Sequence, residues 1–196
     1  MRAGAARGVA ILGAILGWAA LLLQFWLLLA LTGAFGAALW RFLGYFTLIG
    51  NSFAAITLTL AALGRGSARR ELAMVSAMIL IGVTYSLLLR QLWAPQGWQK
   101  LADIALHDLL PLLAVLFWLL RPHRLLAWRD AGFALILPLG FVLYALLRGG
   151  WEGWYPYPFL DAAALGAGAV ALNTLAMGAG FFLLALLLVR LDRKLP

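Results

Sequence analysis

VAILGAILGWAALLLQFWLLLALT, Val9 to Thr32, carries no charge and only one amide, Gln24. A helix needs about 20 apolar residues to cross about 30 Å of hydrocarbon, and this run supplies them. Five more apolar runs follow: Phe42–Leu63, Leu72–Leu89, Ile104–Leu120, Ala131–Leu147 and Ala162–Val189. Hydrophobic residues make up 65% of the chain, charged residues 11%, and mean hydropathy is +0.99, too little polar surface to coat a water-soluble globule. Without water in the bilayer core, each backbone N–H and C=O must be paired inside its own segment. Long runs without alternation achieve this as helices rather than as barrel strands. The expectation is a single all-α domain over residues 1–196, an integral membrane bundle of six helices.

Charge sets the expected orientation. The net charge is +8, but the basic residues lie in short clusters at the ends of the apolar runs, which argues for topology and against a nucleic-acid partner. Eleven fall on the side of the N-terminus (Arg2, Arg7, Arg65, Arg69, Arg70, Arg121, Arg124, Arg129, Arg190, Arg193, Lys194) and four on the other (Arg41, Arg90, Lys100, Arg148). Both termini are therefore expected in the cytoplasm. The N-terminus imitates a secretory signal but runs on for a full span, and it is read as a retained first helix. Arg outnumbers Lys 13 to 2, a bias that points to a GC-rich bacterium and a bacterial inner membrane.

Cysteine is absent, which removes disulfides, thiolate metal sites and a cysteine nucleophile. No HExxH, acidic triad, GxSx turn, paired intramembrane aspartates or glycine-rich phosphate loop occurs either, so no metal and no cofactor is expected. The connections are short, and function must sit in the bundle or at its rims. Trp93, Trp98, Trp151, Trp154, Tyr155 and Tyr157 fall in the two longest connections, 90–103 and 148–161, and suit an interfacial aromatic belt. In Trp154-Tyr155-Pro156-Tyr157-Pro158-Phe159-Leu160-Asp161 two prolines alternate with aromatics and fix an extended backbone, a candidate rim over a cavity. Asp161 then caps the sixth helix. Small residues four apart or less, Gly13 and Gly17 in the first helix and Gly166, Gly168, Gly178 and Gly180 in the last, predict close helix contacts.

Few polar groups remain for chemistry. Thr47 and Asn51 stand one turn apart near the outer end of the second run, and His107 stands near the outer end of the fourth, with Asp103 one turn earlier. The depths match. A histidine within reach of a threonine hydroxyl can take its proton as the oxygen attacks; Asp103 can orient the ring, and the Asn51 amide or a tyrosine hydroxyl can donate to an oxyanion. The same residues also read as structural: a threonine in a membrane helix bonds to its own backbone, and a histidine can sit at the interface. His123, among Arg121, Pro122 and Arg124, is expected to be solvated in an inner loop, and Asn173 to join helices near mid-bilayer.

Three stretches carry a resemblance: Tyr45-Phe46-Thr47 with Asn51; His107 with Pro111; and Arg148-Gly149 followed by Tyr155-Pro156-Tyr157-Pro158-Phe159-Leu160-Asp161. Together, over about Trp40 to Asp192, they resemble the androgen-induced and androgen-dependent TFPI-regulating membrane proteins, most closely their small bacterial relatives. Animal members of that family are six-helix threonine hydrolases cleaving fatty acid esters of hydroxy fatty acids. The resemblance implies a lipid ester hydrolase with Thr47 as nucleophile and His107 as base, supported by Asn51, Asp103, Tyr155 and Asp161, with its site near the outer leaflet. The chain departs from the family pattern at Gly50 and Asp108. A rival from another class keeps the bundle and makes the cavity a binding or transport site for a lipid or other hydrophobic molecule.

Overall fold

The computed structural model describes residues 2–195, the side chain of Arg2 excepted, and is all-helical: no strand occurs among the described residues. The helices are α1 (Arg2–Thr32), α2 (Phe35–Phe42), α3 (Phe46–Ala62), α4 (Ala68–Leu92), α5 (Gly97–Leu120), α6 (Asp130–Glu152) and α7 (Ala167–Lys194). Five are long and apolar enough to cross a membrane, and the count is six when α2 and α3, which meet at a bend of 87°, are taken as one span. The all-α membrane bundle read from the six apolar runs is the fold observed.

α4 runs through the middle of the bundle, with Leu72, Met74, Val75 and Met78 fully buried. α1 packs on α3 and α5. Its small residues permit the approach: a Cβ on Gly13 would lie 2.8 Å from Leu58 Cδ1, and one on Gly17 3.1 Å from Ala55 Cβ and Leu110 Cδ2. The same expectation fails in α7. Around Gly166, Gly168 and Gly180, which are exposed, nothing lies within 4 Å of where a Cβ would stand, and only Gly178 meets a neighbouring helix, at 3.8 Å from Leu139 Cδ2 on α6. Gly50 has a packing reason of its own, since a Cβ there would stand 2.7 Å from Ile81 Cδ1 on α4.

The expected loop Gly33–Arg41 is largely helical. α2 turns one residue, Ala38, fully inward, and the chain then breaks at Leu43–Tyr45, with Tyr45 extended (φ −113°, ψ 129°), before α3 begins at Phe46. The break is held from α6: buried Arg148 donates to the Trp40 carbonyl (2.8 Å) and to the Tyr144 hydroxyl (3.1 Å), pairs with Glu152 (2.9 Å), and lies over the Trp40 ring. Gly44 fits beneath, since a Cβ there would meet Arg148 Nη1 at 3.0 Å and the Trp154 ring at 3.1 Å. Thr47 thus lies in the first turn of a helix rather than inside one. The expected connection 90–103 is likewise helical from Gly97 onward, which puts Asp103 inside α5.

At the opposite end a charged cluster joins α4, α5 and α7. Arg121 lies 3.3 Å from Glu71 and 3.0 Å from Asp192, and all three are buried. Asp192 also accepts from the backbone N–H groups of Leu125 (2.9 Å) and Leu126 (3.0 Å). Burial pulls the Arg121 guanidinium below its usual value, and the two carboxylates oppose this. His123 belongs here and is not solvated as expected: its ring nitrogens face Asp192 Oδ1 (3.2 Å) and the Leu119 carbonyl (3.3 Å), and its ring sits edge-on to Trp118. The neighbouring basic residues suggested an open loop, whereas Asp192, 69 residues away, draws the ring inside. Removing one partner of a buried ion pair strands the other charge. Asp192→Ala should therefore lower stability by about 3–5 kcal/mol, read as equilibrium unfolding in mixed micelles; a change under about 1 kcal/mol would show the cluster to be incidental.

Candidate functional site

Two helices carry a π-helical turn, Tyr85–Leu89 in α4 and Ala105–Leu109 in α5. Such turns insert one extra residue and rotate the side chains that follow, and they recur at functional sites. Here they bring two rings together: Tyr85 stacks on His107 with centroids 3.8 Å apart and planes 14° from parallel. The Tyr85 hydroxyl donates to Asp103 Oδ2 (2.6 Å) and accepts from Trp93 Nε1 (3.3 Å). Arg90, paired with Asp108, lies over the other face of Tyr85 at 4.9 Å.

His107 Nδ1 lies 3.1 Å from both the Asp103 backbone carbonyl and Asp103 Oδ1. Only the carbonyl is aligned as an acceptor, and Oδ1, which no hydrogen bond reaches, acts as a charge beside the ring. A carbonyl oxygen can only accept, so Nδ1 is the donor, and in the neutral ring Nε2 then carries the lone pair. This is the arrangement a general base requires.

Thr47 and His107 line one cavity of about 370 Å³, from α3 and α5, with Tyr85, Asp103 and Tyr157 on its walls and Arg41, Gln24 and Gln99 among its polar groups. Gln99 donates to Gln24 across it (2.9 Å). No hydrogen bond joins the Thr47 and His107 side chains among the described residues. The rim expected over residues 154–161 forms: Pro156, Tyr157 and Pro158 line the cavity, and Tyr157 is extended. Asn173 on α7 secures that rim by donating to the Phe159 carbonyl (2.9 Å), a helix-to-loop tie in place of the helix-to-helix one expected.

The first turn of α3 shapes the rest. The N–H groups that open a helix have no partner inside it, and that of Thr47 donates to the Tyr157 hydroxyl (3.4 Å). Tyr157 accepts there through its hydroxyl oxygen, and its side chain lines the cavity. Burial pushes its hydroxyl up to about 12. Asn51 is fully buried and donates to the Thr47 carbonyl (2.7 Å), so its amide braces the turn that carries Thr47. Tyr155 lies across Gly149, where any Cβ would stand 2.1 Å from its Cε1, and Asp161 caps a short turn by accepting from Ala163 and Ala164 (both 3.0 Å). Neither lines the cavity.

Of the six site residues expected from the sequence, the cavity collects Thr47, His107 and Asp103; Asn51 stands behind Thr47, and Tyr155 and Asp161 build the rim from outside. Tyr85, Trp93, Arg41 and Tyr157 were not singled out for the site. Tyr85 carried one signal, as the one aromatic residue of the run Leu72–Leu89. No group of three His, Cys, Asp or Glu residues among the described residues is placed to hold a metal ion. Comparisons of the chain with protein-family models, curated proteins and solved structures found no match.

Tyr157 gives a pH test. Its folded value lies above the ordinary 10, so between the two values the unfolded chain has lost the proton and the folded one has kept it. Its contribution is complete below pH 10 and is lost as pH rises to about 12, by up to about 2–3 kcal/mol. Tyr157→Phe should flatten that part of the stability profile, measured as unfolding in detergent against pH; an unchanged slope would place the hydroxyl in contact with water.

Proposed function

We propose that this chain is a hydrolase of lipid esters working within the membrane, with Thr47 as nucleophile and His107 as its base. The observation that carries the reading is that these two residues, chosen from matched depth on two helices, line the same cavity, where the imidazole is oriented with Nε2 free. The resemblance noted for residues 40–192 adds the substrate class, fatty acid esters of hydroxy fatty acids or similar lipids.

In this reading the ester carbonyl lies beside Thr47. His107 Nε2 takes the hydroxyl proton as Thr47 Oγ1 bonds to the carbonyl carbon, and the hydroxyl of Tyr157, a wall of the same cavity, donates to the oxygen that gains charge. The bond to the alcohol oxygen then breaks, and His107 returns the proton to that oxygen. Water, deprotonated by His107, attacks the acyl-threonine and releases the carboxylic acid and the free hydroxyl. Tyr85 and Asp103 hold the ring at the required angle and do not themselves react. The positive charge bias toward the termini favours a site near the outer leaflet of a bacterial inner membrane.

The test is labelling of the purified protein in detergent with a fluorophosphonate, followed by turnover of a lipid ester. Wild type should be labelled. Thr47→Ala and His107→Ala should each lose the label and at least about 10²- to 10⁴-fold in turnover, with unfolding midpoints unchanged. Full turnover in either folded variant would sink the mechanism. A folded wild type that takes no label and turns nothing over would assign the cavity to lipid binding or transport.

A further inference from the structure

A second void adjoins the first. It is small, about 50 Å³, and almost wholly apolar, lined by α4, by α6 with Phe141 and Val142, and by α7 with Met177 and Phe181. Thr47, Tyr85, Leu89 and Tyr157 line both voids, so the two meet at the proposed nucleophile. Its position follows from how α6 is attached. The first turn, Asp130–Ala134, packs on α4 and is pinned by Asp130 to Arg69 (2.7 Å), while the rest, Ile136–Glu152, diverges from α4. The far end of α6 is tied to α2 through Arg148 instead. A wedge is left between α4 and α6, and its lips, Leu80 and Thr84 on one side and Val142 on the other, are only half-buried.

We propose that this wedge is the acyl-chain site and the lateral portal of the enzyme, taking a single unbranched chain directly from the bilayer. The volume supports one chain: 50 Å³ is room for about three to five water-sized groups, whereas the cavity beside His107 is roughly seven times larger. A chain moving from lipid into an apolar wedge exchanges one apolar surrounding for another, so the wedge contributes little affinity. Its work is alignment. With the chain threaded between the lips, the carbonyl that ends it reaches Thr47, and the alcohol portion lies in the larger cavity. The chemistry of this step rests on the hydrolase reading; the site for the chain does not.

The experiment compares two esters in nanodiscs: a long-chain ester that resides in the bilayer, and a short water-soluble one that reaches Thr47 through the larger cavity. Val142→Trp fills the lips. Turnover of the long-chain ester should fall about tenfold or more, as overpacking a filled site typically costs, while the short ester stays within about twofold. Should Val142→Trp not fold, Thr84→Phe narrows the wedge from the other lip and is read the same way. Equal loss of both esters in a folded variant, or loss of neither, would overturn the portal. If neither ester shows Thr47-dependent turnover, the hydrolase reading fails. A fatty acid with a photoreactive diazirine tail then decides the wedge alone. Crosslinks concentrated on α4 and α6 that vanish in Val142→Trp sustain it, and crosslinks spread around the bundle overturn it.

Discussion

A charged side chain in hydrocarbon must find its partners inside the protein, and this constraint sorts the buried charged groups of the bundle. The sorting produces two clusters at opposite ends of α4 and α5. At one end Glu71, Arg121, His123 and Asp192 neutralise one another and take up loose backbone N–H groups. At the other, Tyr85, Asp103 and His107 form a bonded and stacked set. Between them the helices are joined mainly by small and aliphatic side chains such as Ala54, Leu58, Met74 and Met78.

The clusters differ in what surrounds them. Around Asp192 the side-chain partners are closed in, and the result is a clasp: Asp192 Oδ1 serves Arg121 and His123 while Oδ2 serves two backbone N–H groups. Around His107 the packing stops short. α6 is anchored by Asp130 at one end and Arg148 at the other and leaves α4 in between, and Pro156, Tyr157 and Pro158 roof the space instead of filling it. A tight end and an open end on the same helices give a rigid frame for a site whose walls need room.

The π turns are where the frame meets the site. Tyr85 opens one of these turns and His107 lies inside the other. The extra residue in each turn lets two aromatic rings from different helices lie face to face, with an imidazole nitrogen held by a backbone carbonyl one turn back. Gly82 contributes from the preceding turn, because a Cβ there would already touch the His107 carbonyl and the Pro111 ring (3.4 and 3.5 Å).

By itself the sequence determined the solvent, the helical class and the number of apolar runs, because these follow from composition and run length alone. It also determined depth. Thr47, Asp103 and His107 could be placed near one end of the bundle by counting residues from the helix ends, and the proline-aromatic segment could be read as a rim. Rotation and neighbours were decided only in three dimensions. Tyr85 reaches His107 through two π turns that leave no mark in composition, and His123 is buried because a carboxylate on a distant helix lies beside it. The break that puts Thr47 in a first turn depends on Arg148, more than 100 residues away. Hydropathy is a property of each run separately, whereas a ring stack, a clasp or a wedge belongs to two or more helices at once.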